Sequence, residues 1–594
     1  MHYRREIDGL RAVAVLPVIF FHAGFPGFSG GFVGVDVFFV ISGYLITSIL
    51  LEDLRNGRFN LLRFYERRIR RILPALYLVM LACLPLAWLL MLPDPLENFG
   101  QSLVATTLSA NNILLMLTSG YWDLSADFKP LVHTWSLGVE EQFYFVFPVL
   151  LLVLWRLGST KAVVAFAIIG TMSLAAAQFG WVGTTEAGFY LLPTRAWELL
   201  VGAGAAFWLS RNPGRPALPM LDMAGLAFIG LAVLLYDERT PFPGLYALLP
   251  IAGAAMIILF ANPGSMVGRL LGNRIFVGIG LTSYSAYLWH QPLFAFARVY
   301  ARQEPGAAIF VGLSVLALAL AFLSWRYVEI PFRDRRTTGT PLVLSLAATI
   351  SIAFVGVGYS FHVTHGMPQR LQADVSDYNS GMYIAYNRRA FQYKKAAFDF
   401  PEKKNILVVG NSFARDFVNM VLENVPTDGV EIVYRDDFGD CFHDDAHQNS
   451  ALFQTLYTVA DVVIIGSGAP TLACVEADIR RVEADDKRLL YAGTKHFGYN
   501  LNWLMRVPVQ ERVLARNTLF QQTIAWNARI HEAVPERNLV DLLSTIQVGE
   551  EVLITDEEGR LLSPDTTHLT RFGARYIGSR ALSGASFQDV IAAD

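Results

Sequence analysis

The chain of 594 residues is 53% hydrophobic and 17% charged, against roughly 25% charged residues in soluble proteins. That balance, with a mean hydropathy of +0.38, excludes a wholly soluble protein. A net charge of −3 gives no reason to expect a nucleic-acid partner.

Apolar runs long enough to span a bilayer, or nearly so, lie at about 10–27, 32–51, 74–93, 136–155, 162–180, 190–209, 220–236, 244–261, 276–297, 307–327 and 341–361, which predicts eleven spans. The first run lacks a small-residue cleavage site and leads straight into the second, so it reads as a retained helix. Arg11 opens that run, and His22 follows eleven residues later. At about 100° per residue this is close to three turns, so both lie on one face, about 16 Å apart. Arg11 is thus expected near one interface and His22 near the midplane. Ionisable groups inside a bilayer are costly and face a cavity or a partner; the plainer reading of His22 is a hydrogen-bonded structural histidine. Asp36 stands near the start of the second run.

Seven arginines, from Arg55 to Arg71, fall in one short loop expected between spans two and three. By the positive-inside rule that segment is cytoplasmic, which with eleven spans puts the N-terminus inside and the C-terminus outside. Arg67, Arg68, Arg70 and Arg71 read either as a site for a polyanion such as a nucleotide diphosphate or as topology and lipid-phosphate contacts. The stretch 99–118 is rich in Ser, Thr and Asn and is expected to be interfacial or re-entrant. His133, Glu140 and Glu141 enter the fourth span and suggest acid–base work, sugar-hydroxyl binding or an interfacial anchor. Arg195 and Glu198 are spaced for an i,i+3 ion pair. Tyr284, Tyr287, Trp289 and His290 read as an aromatic belt.

Residues 362–404 form a polar, aromatic-rich linker. From 405 onward, strands at 406–409, 430–434, 462–465, 489–491 and 539–542 alternate with helices such as 413–424, 474–486 and 510–533. This pattern predicts a doubly wound, mostly parallel α/β sheet with a site at the carboxyl ends of its strands. The first strand delivers Ser412 to a Gly-led turn before a helix, and Asp565 and His568 stand three apart near the end. One serine, one histidine to take its proton and one aspartate to orient the ring suit nucleophilic acyl chemistry. Cys83 lies in an apolar run; Cys441 and Cys474 can pair if their part of the chain faces an oxidising compartment. No cysteine spacing suggests a metal site.

The Gly410-Asn411-Ser412 turn and the Asp565–His568 pair resemble the SGNH (GDSL-like) hydrolase and acyltransferase family. The resemblance implies Ser412 as nucleophile, His568 as base and Asp565 as its orienter. The chain departs from the family at Asn411, where an aspartate is common, and in lacking a Gly-x-Asn motif after the third strand. Gly439, or the Gly493-Thr494-Lys495 turn, is the alternative source of oxyanion donors. Arg11 with His22, the Gly34–Gly43 and Arg67–Pro74 segments, His133–Gln142, Arg195–Glu198 and Ser324–Phe332 together resemble the acyltransferase 3 family. These are multispanning proteins that O-acetylate extracytoplasmic carbohydrates.

The joint resemblance implies an acyltransferase 3 membrane domain at 1–335, an additional span at 336–361, the linker and an extracytoplasmic SGNH domain at 405–594. It implies acetyl-coenzyme A as donor, a cell-envelope glycan such as O-antigen as acceptor, and a bacterial inner-membrane location. On that reading Arg67, Arg68, Arg70 and Arg71 hold donor phosphates, and His22 with Arg11 acts on the acetyl group. The runner-up is a membrane-anchored SGNH esterase; a lipid or glycan transporter ranks below both. Nothing in the sequence sets an oligomeric state.

Overall fold

The long apolar runs fold as helices, which satisfy their own backbone groups, and the alternating C-terminal sequence folds as a sheet. The computed structural model describes residues 3–118, 126–180, 185–212, 218–371, 386, 388–438, 450–468 and 471–591. They form two units. The first comprises 1–88, 98–298 and 305–362, and the second 89–97, 299–304 and 363–594.

In the first unit the helices are α1 (Arg5–His22), α2 (Gly34–Arg55), α3 (Leu61–Leu90), α4 (Pro93–Thr107), α5 (Asn111–Thr118), α6 (Thr134–Trp155), α7 (Ser159–Phe179) and α8 (Thr185–Tyr190). They continue as α9 (Leu192–Arg211), α10 (Pro219–Leu235), α11 (Leu248–Phe260), α12 (Met266–Leu271), α13 (Arg274–Tyr300), α14 (Ala307–Ser324), α15 (Ile330–Arg333) and α16 (Thr340–Val363). Among the described residues, six of the eleven expected runs form helices long and apolar enough to cross a membrane: Gly31–Arg55, Leu61–Leu90, Thr134–Trp155, Ser159–Phe179, Ala307–Arg333 and Thr340–Val363. The chain is a multipass membrane protein at this level. α10 and α11 are apolar but shorter, and α1 carries Arg5, Glu6, Asp8 and Arg11 in its first two turns.

Two expectations need correction, and one stretch gains detail. The first helix runs 5–22 rather than 10–27, and ends at His22 because Gly24 and Gly27 take left-handed φ values of 70° and 81°. The arginines from 63 to 71 are not in a loop; they lie on the first turns of the 30-residue α3. The stretch 99–118 lies in two helices, α4 and α5, separated at Ser109, whose φ is 54°.

α2 and α9 meet backbone to backbone. A Cβ on Gly43 would stand 1.9 Å from the Leu199 carbonyl oxygen, and one on Gly202 would stand 2.0 Å from that of Val40. Small residues permit such closeness where lipid supplies no hydrophobic drive between helices. The approach brings Asp36 on α2 to Arg195 on α9, Oδ1 to Nη2 at 2.7 Å. After α14 the helix continues through a π-helical turn at Trp325–Glu329 into α15.

The second unit holds a five-stranded parallel sheet of β1 (Lys404–Gly410), β2 (Val430–Arg435), β3 (Val462–Gly466), β4 (Arg488–Ala492) and a two-residue strand at Leu539–Val540, in the order β2-β1-β3-β4 and then that last strand. Ile406 pairs with Ile432 on one side and Val462 on the other. Successive side chains take opposite faces. Ile406 and Val408 join a core with Phe417, Leu569 and Ile577, whereas Leu407 and Val409 join one with Phe453, Val475 and Ile530. The helices are α17 (Ser412–Asn424), α18 (Ala451–Val459), α19 (Leu472–Ala484), α20 (Gln521–Ala533), α21 (Arg571–Ala581) and α22 (Ala585–Ile591). The expected helix at 510–533 begins only at Gln521. Leu514 has a φ of 50°, and Arg516–Thr518 forms an edge strand paired with Glu551–Leu553. Of the aromatics in 362–404, Tyr386 joins the core of Ile406 and Val408, Phe398 packs against that of Leu407 and Val409, and Tyr378 and Tyr383 lie outside the described residues.

Gly202→Val should drive α2 from α9. The expected loss is at least the roughly 1–3 kcal/mol of overpacking, read as a lower thermal midpoint of the full-length protein in detergent.

Candidate active site

Ser412 is the first residue of α17, and the turn that delivers it is built from backbone contacts. Gly410 has a φ of 124°, and a Cβ there would stand 2.2 Å from the Gly466 carbonyl oxygen. A Cβ on Gly466 would stand 2.4 Å from the nitrogen of Ala414. β1, β3 and the start of α17 can therefore close together only with glycine at both positions. Asn411 caps the helix, its Oδ1 accepting the Phe413 N–H at 3.1 Å.

His568 Nε2 lies 2.8 Å from Ser412 Oγ, and His568 Nδ1 lies 2.7 Å from Asp565 Oδ2. Facing a carboxylate, Nδ1 carries the proton, so Nε2 can accept from the serine hydroxyl. Asp565 Oδ1 also accepts the backbone N–H groups of Thr567 at 2.7 Å and His568 at 2.8 Å. Burial alone raises the Asp565 pKa. The charge and ring N–H of His568, with the two backbone donors, outweigh that and hold the carboxyl below the usual range.

One turn after Ser412, the fully buried Asp416 holds the same segment from beneath. Its Oδ2 accepts the Leu569 N–H at 3.1 Å and meets Lys495 Nζ at 2.9 Å. Lys495 donates to the Thr567 carbonyl at 2.6 Å and lies 3.8 Å from the centre of the Phe413 ring. Burial lowers the Lys495 pKa, and Asp416 opposes the shift. In the Gly493-Thr494-Lys495 turn the Gly493 N–H binds the Val540 carbonyl, the Thr494 hydroxyl that of Gly468, and the lysine Asp416. Gly439 and Cys441 lie outside the described residues; Cys474 is disulfide-bonded and Cys83 is a buried free thiol.

The first unit contains a cavity lined by three guanidinium groups, Arg11, Arg68 and Arg71, together with Ser42, Ser136, Glu140, Tyr284 and Tyr287. Arg71 makes no hydrogen bond or ion pair with a described residue. The four-arginine cluster divides by helix angle. Arg67 turns to Asp53 at 2.9 Å, and the buried Arg70 binds Glu66 at 2.9 Å and the carbonyls of Phe332 and Thr338 at 3.0 and 2.8 Å. Arg70 is a fastener for the chain around residues 332–340, so only Arg68 and Arg71 of the four face the cavity.

Glu140 accepts from Ser42 Oγ at 2.6 Å at the cavity wall. Glu141 lies outside the lining, with Oε1 buried and without a hydrogen bond to a described residue. Asp36, Arg195 and Glu198 form one buried cluster, with Arg195 Nε 3.1 Å from Glu198 Oε1. The belt expected at 284–290 turns inward instead. Tyr284 and Tyr287 line the cavity, Trp289 Nε1 donates to Ser324 Oγ at 2.8 Å, and His290 is fully buried. His22 meets His290, Nδ1 to Nε2 at 3.3 Å, and His133 packs beside His290 with its ring centre 5.5 Å away.

The sequence profile of the acyltransferase 3 family, described as an acyltransferase domain, matches residues 4–326, more than half of the chain. The chain belongs to that family. A Staphylococcus aureus protein named as an O-acetyltransferase is 35% identical over 358 residues, covering 56% of this chain and 58% of its own length. A Bacillus subtilis protein named as a peptidoglycan O-acetyltransferase is 35% identical over 355 residues, covering 56% of this chain and 55% of its own. The peptidoglycan O-acetyltransferase OatA of Listeria monocytogenes is 33% identical over 352 residues, covering 56% of each. The chain thus spans little more than half the length of the curated relatives it matches. No solved structure matches it.

Within the acyltransferase domain lie the cationic cavity, the Asp36–Arg195–Glu198 cluster and the three histidines; Ser412, His568 and Asp565 lie beyond it. Sequence reasoning missed Asp416, and read Lys495 only as part of a turn of oxyanion donors and His290 only as part of an aromatic belt. The first had a readable signal, a carboxylate four residues after Ser412 in a helix.

Lys495→Met removes the nearer of two cations beside the buried Asp416, leaving Arg415 Nη2 at 3.5 Å, and should cost up to about 3–5 kcal/mol of stability. Adding Asp416→Asn should recover part of that loss, measured as thermal midpoints of the full-length protein. Asp565, with its depressed pKa, contributes stability in full above the ordinary aspartate value of about 4. That contribution is lost as pH falls through its lower folded value. Acidification should therefore lower the midpoint of the wild type more than that of Asp565→Asn.

Proposed function

We propose that the protein is an inner-membrane O-acetyltransferase that takes acetyl from cytoplasmic acetyl-coenzyme A and delivers it to hydroxyls of a cell-envelope glycan. In this reading the chain has eleven spans, with its N-terminus in the cytoplasm and an extracytoplasmic SGNH-type domain from 405 onward. The observation that carries the proposal is the Ser412–His568–Asp565 relay, at bonding distances throughout, in the same chain as an acyltransferase domain. Relatives named for peptidoglycan O-acetylation support a glycan acceptor.

The donor is a polyanion. Three guanidinium groups around one cavity, with Arg68 and Arg71 making no hydrogen bond or ion pair to a described residue, suit its phosphates. Arg11 steadies the reacting end from α1, and His22 on the same helix takes the acetyl group or the proton. Glu140, Glu141 and His133 support hydroxyl and proton handling, and Asp36, Arg195 and Glu198 hold the helices that carry them.

In the second unit Ser412 Oγ attacks the acetyl carbonyl while its proton passes to His568 Nε2. That proton then goes to the departing group, leaving acetyl on the serine. A sugar hydroxyl attacks the acyl-enzyme, gives its proton to His568, and the serine regains a proton as it leaves. Asp565 keeps the imidazole in the tautomer this sequence needs. The same relay would serve an esterase if water replaced the sugar.

Ser412→Ala should reduce glycan acetylation at least about 10³-fold, with the protein still inserted, read by mass spectrometry of envelope glycans. Full acetylation by that variant would remove the relay from the mechanism, and net deacetylation by the wild type would favour the esterase. Arg71→Ala removes charge-assisted bonds of about 1.5–3 kcal/mol, and should raise the KM for the donor with a smaller effect on kcat.

A further inference from the structure

Of the three histidines that converge in the first unit, His290 carried no functional expectation from the sequence. Its ring is fully buried on α13, with its centre 5.1 Å from that of His22 and 5.5 Å from that of His133. Tyr287, one turn earlier, connects it to the cavity. The Tyr287 ring lines the cavity wall, its hydroxyl pairs with Ser136 Oγ at 2.7 Å and donates to the His133 carbonyl at 2.8 Å, and its own carbonyl faces His290.

The hydrogen bonds decide which ring nitrogens carry protons, because a backbone carbonyl can only accept. His290 Nδ1 lies 2.6 Å from the Tyr287 carbonyl oxygen, so Nδ1 carries the hydrogen and Nε2 of the neutral ring is left as an acceptor. His22 Nδ1 lies 2.9 Å from the Val18 carbonyl oxygen, so it too carries its hydrogen. His290 Nε2 stands 3.3 Å from that same His22 nitrogen. The His22 N–H is thus directed between a carbonyl oxygen and an imidazole lone pair, and both stabilise it. The opposite tautomer of His22 would set its lone pair against the Val18 oxygen. It would also need a second proton on His290, making an imidazolium in a ring closed to water.

We infer that His290 is a positioning residue that locks His22 in the tautomer protonated at Nδ1 and so leaves His22 Nε2, with its lone pair, as the reactive atom. The inference rests on the reading of His22 as the group that takes acetyl or a proton, since either role requires a free ring lone pair. Arg298 complements the lock. Its Nη2 donates to the His22 carbonyl at 3.0 Å and fixes the end of α1.

The test uses the full-length protein, labelled with ¹⁵N-histidine and held in lipid bilayers. The His22 ring signals in solid-state NMR are identified by their absence from His22→Ala. The expected wild-type pattern is a protonated Nδ1 and an unprotonated Nε2. His290→Gln, whose side-chain oxygen can accept from His22, should keep that pattern, and His290→Phe should give a mixture of tautomers. Acetyl transfer should follow the signal: His290→Phe should lose about 10–100-fold in kcat with the donor KM unchanged, and His290→Gln should recover most of it. A wild-type His22 protonated at Nε2, or a His290→Phe spectrum identical to the wild type, would overturn the inference. The wild-type spectrum decides the tautomer even if His290→Phe does not fold. Full glycan acetylation by His22→Ala would refute the catalytic reading of His22 and leave the tautomer measurement standing.

Discussion

A guanidinium with one per cent of its side chain exposed constrains the membrane unit more than any other single group. Arg195 reaches Asp36 on one side and Glu198 on the other, and four aromatic rings, of Phe39, Trp135, Phe189 and Phe242, lie 5.4–5.6 Å from its charged carbon. A buried charge is tolerated only when it is paired and held by further contacts, and breaking such a pair is strongly destabilising. α2 and α9 must therefore stay in one register, and Gly43 and Gly202 allow the approach that register demands. Six residues along α2 from Asp36, Ser42 donates to Glu140 on α6 and helps to shape the cavity. The cavity wall is thus set by a cluster that does not line it.

The second unit follows the same logic around its sheet. Asp416 and Lys495 are buried together and tie three stretches distant in sequence: the helix that starts at Ser412, the turn after β4, and the segment from Asp565 to Leu569. The pair contributes little as raw stability, because both ions are desolvated. Its effect is geometric. The carbonyl of Thr567 and the N–H of Leu569, on either side of His568, are each fixed, so the imidazole has little freedom to leave the serine.

Features encoded over a few residues were legible in the sequence. The strand–turn–helix around Ser412 and the three-residue spacing of Asp565 and His568 are local, and the alternation of strands and helices after 405 fixed the sheet's class. Features set by angle or by distant packing were not. Reading Arg63–Arg71 as a loop hid the fact that neighbouring arginines on a helix diverge by about 100°, which sends Arg70 to Glu66 and two carbonyls while Arg71 faces the cavity. His290 sat among Tyr284, Tyr287 and Trp289, a composition that fits an interfacial belt equally well, and only the positions of α1 and α13 bring it to His22. Strands of two or three residues, such as Arg516–Thr518, hold too few side chains for any periodicity to register. The Arg298 guanidinium donates to the carbonyl of His22, a link between distant helices that its place in the sequence does not disclose.

The π-helical turn at Trp325–Glu329 carries one residue more than an α-helical path would. That residue rotates all that follows, so Glu329 faces inward to accept from Ser285 and Arg333, while Tyr327 is 69% exposed. In this stretch the count of residues matters more to descent than most of their identities. Loss of one residue would restore regular helical bonding and at the same time turn Glu329 away from Ser285. An outward tyrosine, by contrast, can drift to any side chain that lipid or solvent accepts. The turn is a frame marker, and its length sets the direction of every side chain that follows it in the helix.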